Sequence, residues 1–214
     1  MPIQSPMTPH SVIPGRQRVR NALREALLEA AEQVFAEEGF EGATMAAIAA
    51  RAGYSAGHLY NVFENKEALF REVFRSRASL AVDQLSAALE AGGSLAHSID
   101  LFVRACLSFF EEHRSFFVFY IQTTSGFEWN VRRFGDEGPR VRQAFEEQIE
   151  RRIDQAIATG ELRDGDPLVY TCSLMGTLHH FLARWLQSGG ASEDLWARES
   201  TLCAALHRLL GVAP

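Results

Sequence analysis

Along the chain, apolar residues recur at three- and four-residue spacing almost throughout, and no segment alternates apolar and polar positions between hairpin turns. The pattern predicts an all-α protein of about nine helices. From Gln17 to Glu38, Leu23, Leu27, Ala31, Val34 and Phe35 fall on one side, and Gly39 suits a left-handed stop. Thr44 predicts the cap of a short helix ending near Ala52, and Gly53 a turn. Ser55 then caps a second short helix to about Phe63, and Asn65 a long one from Lys66 to about Ala91, ended by Gly92 and Gly93. Ser94, Asp166 with Pro167, and Ser192 with Glu193 and Asp194 read as later starts; Gly160 and Gly189 with Gly190 read as stops.

The two short helices have unusual polar faces. Placed at about 100° per residue, Leu59, Val62 and Phe63 share one arc, while Gly57, His58, Tyr60 and Asn61 fall on the other. The first set can bury against Ile48, Ala49 and the opening helix. The second presents hydrogen-bonding tips and a glycine that admits close approach. Ser55, Ala56 and Gly57 add the unpaired amides and partial positive charge of a helix start, suited to a phosphate oxygen. The whole stretch from Thr44 to Phe63 lacks a carboxylate. Such a pair describes a helix-turn-helix element that meets a polyanion, although any amphipathic helix pair joined by glycine gives the same spacing.

Charge sharpens this reading. The 214-residue chain has a formal net charge of −6, yet residues 1–77 hold nine Lys or Arg against nine Asp or Glu, leaving twelve against eighteen beyond. Arg16, Arg18, Arg20 and Arg24 all precede the first acid, Glu25. This basic arm favours phosphate backbones while the acidic remainder suppresses indiscriminate binding. Residues 1–15 contain four prolines and no sustained apolar run, which predicts a disordered tail, not a secretory signal, and a cytoplasmic protein. The longest apolar runs, such as Phe116 to Ile121, are too short to cross a bilayer. Cys106, Cys172 and Cys203 are widely spaced and odd in number, as expected of reduced thiols and not of a disulfide or zinc framework.

The run from Phe35 to Phe70 resembles the N-terminal domain of TetR/AcrR-type transcriptional regulators. The shared features are the glycine-aromatic turn Gly39-Phe40 ahead of Thr44, the Ile48-Ala49-x-x-Ala52-Gly53 helix, the Leu59-Tyr60-x-x-Phe63 helix and the Lys66-Glu67-x-Leu69 opening of the long helix. The resemblance implies a helix-turn-helix DNA-binding domain over residues 16–70 and a ligand-binding and dimerisation domain over 71–214. It also implies that Thr44 and Ser55 cap their helices and touch phosphates, that Tyr60 and Lys66 donate to phosphates, and that Gly57, His58 and Asn61 lie at base edges. The chain departs from the common pattern at His58, Asn61 and Val62, where relatives often carry a small residue or Thr, an aromatic or Arg, and His or Tyr. Its operator is therefore its own. Side-chain chemistry suggests adenine for Asn61.

Further on, Leu168, Cys172, Met175, His179, Leu182 and Leu186 follow a four-three spacing, beside a second stripe of Leu174, Leu178, Phe181 and Trp185. That apolar girdle is wider than the roughly 100° a surface helix needs. The last helix repeats it, with Leu195, Leu202, Leu206 and Leu209 on one line and Trp196, Cys203 and Leu210 on another. Leu168, Cys172, His179, Leu182, Leu186, Leu202, Leu206 and Leu209 are the expected dimer contacts, forming a four-helix bundle about a two-fold axis. A homodimer would present two recognition helices roughly 34 Å apart on double-stranded DNA.

Phe102, Cys106, Phe109 and His113 share one helix face, and Phe117, Tyr120 and Thr124 follow on the next. Aromatic stripes of this kind most often fill a core. With Met175, and with Arg114 as a further polar tip, they also suit a pocket for a hydrophobic or aromatic effector. Arg132, Arg133, Arg140 and Arg142 suit an acidic ligand head such as coenzyme A, and a solvated charged face accounts for them equally. No catalytic residue, metal site or cofactor is expected. His179 and His180 are adjacent and not four apart, and neither a Gly-rich phosphate loop nor a nucleophile elbow occurs. The competing reading is an all-helical carrier or enzyme without DNA binding.

Overall fold

The computed structural model describes residues 14–124 and 137–212, without the side chains of residues 14, 16, 119, 121–124 and 137–142. Its described residues form an all-helical protein of ten segments. The first four are α1 (Pro14–Gly42), α2 (Met45–Arg51), α3 (Ala56–Tyr60) and α4 (Lys66–Glu90). Then come α5 (Leu95–Glu112), α6 (Arg114–Thr124), α7 (Glu137–Thr159), α8 (Pro167–Gln187), α9 (Ser192–Trp196) and α10 (Glu199–Leu210).

The start signals carry real caps. Side-chain oxygens of Thr44, Ser55, Asn65 and Ser94 accept from Ala47, His58, Ala68 and His97 amides at 2.8–3.2 Å, and Asp166 accepts from Leu168 at 2.9 Å with Pro167 in the first turn. Each satisfies an amide the helix itself cannot. Gly39 interrupts α1 at φ 70°, ψ 172°, a conformation open to glycine, and the chain resumes helical turns to Gly42. The expected terminal helix is divided. It breaks between Trp196 and Glu199, and Trp196 is held by its indole N–H donating to Glu111 at 2.8 Å.

Two apolar clusters organise these elements. One gathers α1, α2, α3 and the first turns of α4 around Leu27, Phe35, Ile48, Leu59 and Phe70, and admits Phe109 and Phe116 from α5 and α6. The other joins the rest of α4 to α5, α7, α8, α9 and α10 around Ile99, Phe102, Leu107, Ile149, Leu178 and Leu206. Helix α4 runs through both. Its Arg77, buried, donates to Glu32 at 2.7 Å and Glu25 at 2.5 Å on α1. Burial opposes the Arg77 charge, but the two carboxylates outweigh it and raise the pKa. Losing Arg77 would leave the buried Glu32 carboxylate without its ion-pair partner, at about 3–5 kcal/mol for a buried pair. Among the described residues no helix is long and apolar enough to cross a membrane.

Candidate functional site

Gly53, at φ 77°, turns the chain between α2 and α3, and Tyr54 N–H donates back to Ala49 at 2.8 Å. This fixes the crossing that buries Leu59 and Phe63 against Ile48 and Ala49. Five residues suffice for α3, and Asn61 closes it by donating its N–H to Gly57 at 3.2 Å. Val62 then follows in a turn and Phe63 in irregular chain, where the periodicity predicts helix. The opposite face is open: Gly57, His58, Tyr60 and Asn61 are all exposed, Tyr60 at 54%. Thr44 and Ser55 are exposed caps, and Ala56, the first residue of α3, is half-buried. The His58 ring stacks on Tyr54, centroids 5.3 Å apart.

The positive charges around this face are unevenly committed. Lys66 is the main correction to the sequence reading. Its ammonium donates to the carbonyls of Phe40 at 2.6 Å, Ala43 at 2.9 Å and Glu41 at 3.4 Å, and lies 4.5 Å from the Phe40 ring centroid. It closes the α1–α2 corner from within, its charge directed at carbonyls at the end of a helix. Arg51 pairs with Glu37 at 2.6 Å, and the bond to Arg51 holds that carboxyl below its ordinary pKa. Arg24 pairs with Glu72 at 2.6 Å while its guanidinium lies over Phe63 at 4.9 Å. Arg18 and Arg20 stand exposed on the first turns of α1; the side chain of Arg16 and residues 1–13 of the expected tail lie outside the described residues.

A second site opens beneath, where α4, α5, α6, α7 and α8 enclose a cavity of about 330 Å³ with mostly apolar walls. Of the expected ligand contacts, Cys106, Phe117, Tyr120 and Met175 line it. Phe102 does not. It is fully buried behind the wall, 6.0 Å from the Phe145 ring that does line the cavity. Phe109 points into the other cluster, its ring 5.2 Å from Phe110 and 4.5 Å from His113. His113 closes the end of α5 outside the cavity. Arg114 is likewise no pocket tip, because its fork donates to the carbonyls of Gly189 at 2.8 Å and Gly190 at 2.9 Å. The side chains of Thr124, Arg140 and Arg142 lie outside the described residues, as do Arg132 and Arg133 entirely.

The sequence reading missed an entire wall. Phe74, Ala78, Ala81, Val82 and Leu85 of α4 face the cavity, with Phe110 and Phe116 beside them. The signal was present in the four-three spacing of α4, but nothing local says which side of a long helix meets a hollow. His179, expected at a dimer contact, is exposed and also lines the cavity, edge-on to Phe117 and Tyr120 at 6.4 and 6.1 Å. Burial lowers its pKa from 6.5, and the neighbouring His180 lowers it further. The neutral imidazole is therefore favoured there. Burial pushes the Cys106 thiol up, and burial with a bond to Asp100 pushes Cys203 up to about 12, so neither is poised as a thiolate.

Three other expected dimer contacts belong to the protomer's own core: Leu182, Leu202 and Leu206 are buried inside it. Leu168, Cys172 and Leu209 are exposed and Leu186 is half-buried, and Val169, not expected from the spacing, joins them at 58% exposure. Apolar periodicity marks both kinds of contact alike. Among the described residues no group of three His, Cys, Asp or Glu side chains could hold a metal ion.

Residues 27–73 match the family model for bacterial regulatory proteins of the tetR family. The chain is 22% identical over 190 residues to the uncharacterized HTH-type transcriptional regulator YvdT of Bacillus subtilis, covering 88% of this chain and 95% of that one. It is 36% identical over 76 residues to the HTH-type transcriptional repressor AcnR of Corynebacterium efficiens, 36% of this chain and 39% of the other. The fold is shared with the transcriptional regulator FadR of Bacillus subtilis, solved in complex with stearoyl-CoA, at a TM-score of 0.73 and 17% identity over 85% of this chain and 96% of that one.

Proposed function

We propose that this chain, whose residues 27–73 match the tetR family of bacterial regulatory proteins, is a cytoplasmic homodimeric repressor released from a near-palindromic operator by a hydrophobic or aromatic small molecule. One observation carries the reading: α3 buries Leu59 and turns Gly57, His58, Tyr60 and Asn61 outward on a face with no carboxylate. In the major groove, Gly57, His58 and Asn61 reach base edges. Thr44, Ser55, Tyr60 and the Ala56 and Gly57 amides meet phosphates, with Arg18 and Arg20 supplying charge in place of Lys66. Residues 16–70 form the DNA-binding unit and 71–214 the effector and dimer unit. The exposed Leu168, Val169, Cys172 and Leu209 meet their symmetry mates.

The cavity takes the effector, and its walls suggest how DNA is told of it. Phe74 and Phe116 belong to the cluster that holds α1, α2 and α3 together, and they also line the cavity. A guest that displaces either ring disturbs both, and a conformer with misplaced recognition helices becomes favoured. FadR's stearoyl-CoA places long acyl thioesters first in the panel to be screened, ahead of aromatic hydrophobes. The test is fluorescence anisotropy of the protein on its own upstream DNA while the panel is added. Release by one class, with salt-dependent binding in its absence, supports the reading. A compound that binds one per protomer and leaves DNA affinity unchanged refutes the coupling. Salt-independent or absent DNA binding returns the protein to the carrier reading.

A further inference from the structure

The Tyr54 ring is 40% exposed and stacks on the exposed His58 ring, with planes inclined by 29°. Neither ring belongs to an apolar cluster. The pair therefore does not serve the interior. The backbone under each ring is fixed separately: Tyr54 by its N–H bond to Ala49, His58 by the Ser55 cap at 3.2 Å. Between them lies one short connection, so the two anchored backbones set the phenol beside the imidazole at the first turn of α3. A lone surface histidine samples several staggered rotamers. One leaning on an aromatic face keeps fewer.

We infer that Tyr54 is a positioning residue for sequence reading, holding the His58 imidazole in the single orientation in which its edge meets one base pair of each half-site. The inference rests on the proposed DNA-binding role of α3. A histidine makes at most one or two directed hydrogen bonds to a base edge, so discrimination depends on where the ring points. Without the phenol the same ring reaches several acceptors indifferently. An aromatic pair of this kind corresponds to roughly two- to tenfold in an equilibrium constant, and that is the expected loss of preference at the affected base pair.

The experiment is a randomised-operator selection, followed by anisotropy titrations on single-base variants, with the full-length wild type, Y54F, Y54L, Y54A, H58A and Y54A/H58A. Circular dichroism melts confirm folding. Y54A and H58A should flatten preference at the same base pair, and the double variant should go no further than H58A. Y54F should keep the preference, and Y54L, similar in bulk but not planar, should behave as Y54A. Should Y54A fail to fold, Y54L decides. If Tyr54 variants weaken all operators equally with base preference intact, the residue acts on phosphate or on the fold and the inference is overturned. A damaging Y54F overturns it too, since the hydroxyl would then be the active feature. Wild type without any preference defeats the DNA reading itself, whereas preference lost in H58A and kept in Y54L and Y54A defeats only the role of Tyr54.

Discussion

Replacing Lys66 with Met separates two roles that the sequence leaves superimposed. The variant keeps an apolar stem of similar reach but removes an ammonium bonded to the Phe40 and Ala43 carbonyls at 2.6 and 2.9 Å and set over the Phe40 ring. Hydrogen bonds from a charged donor contribute about 1.5–3 kcal/mol net. A cation at a helix C-terminus adds about 0.3–1 kcal/mol. Water can reach part of this corner after substitution, so a loss of roughly 2–3 kcal/mol is expected, a large fraction of the about 5–15 kcal/mol of an ordinary protein. Urea unfolding at matched protomer concentration measures it, the concentration being fixed because dimerisation shifts apparent stability. Operator affinity measured across salt concentrations, at temperatures where K66M is folded, should keep the wild-type slope. A lysine bound to phosphate predicts the reverse: unchanged stability, and a slope shallower by about 0.9 for every phosphate left unneutralised. That outcome would refute the corner role assigned to Lys66.

Three other outcomes follow from the geometry. Asn61→Ala should relax preference at one base pair per half-site without altering the melting temperature, because Asn61 is exposed and its backbone alone closes α3; an unchanged profile in randomised-site selection removes Asn61 from base reading. Val169→Asp with Leu209→Asp should yield a folded monomer by light scattering, since both side chains are more than half exposed in the protomer and two buried like charges oppose a two-fold contact; a persistent dimer places the interface elsewhere. His179 has a folded-state pKa below 6.5. The stability it contributes is thus present above pH 6.5 and lost as pH falls through the folded value, where the unfolded chain binds the proton more readily. His179→Asn should flatten the acid limb of stability against pH, and an identical limb in the variant refutes the assignment.

Local chemistry was legible and tertiary partnership was not. Thr44, Ser55, Asn65, Ser94 and Asp166 announce helix starts because a cap acts within three residues of itself. The outward set on α3 could be read for a similar reason, since a glycine turn and 100° geometry settle which side Leu59 must bury. Lys66 escaped because its carbonyl partners lie 23 to 26 positions earlier. Leu182, Leu202 and Leu206 look identical in sequence to an interface stripe, and only packing against α5 and α7 shows them to be interior. Phe109 and Phe117 share the same aromatic run yet serve different clusters. That division depends on how α6 leans on α1, which no spacing rule contains.

The bond between Arg77 and the two glutamates of α1 makes a stiff bracket at the middle of a long rod. A 25-residue helix such as α4 extends about 37 Å, so a tilt of only about 5° carries one tip through roughly 3 Å. In a two-fold pair the gap between reading heads would change by up to about twice that, against a groove repeat of roughly 34 Å. Under the proposed function, a guest wedged beside Phe74 would need to move little: the bracket would keep the swing from being absorbed at the joint, and the whole head would travel with the rod.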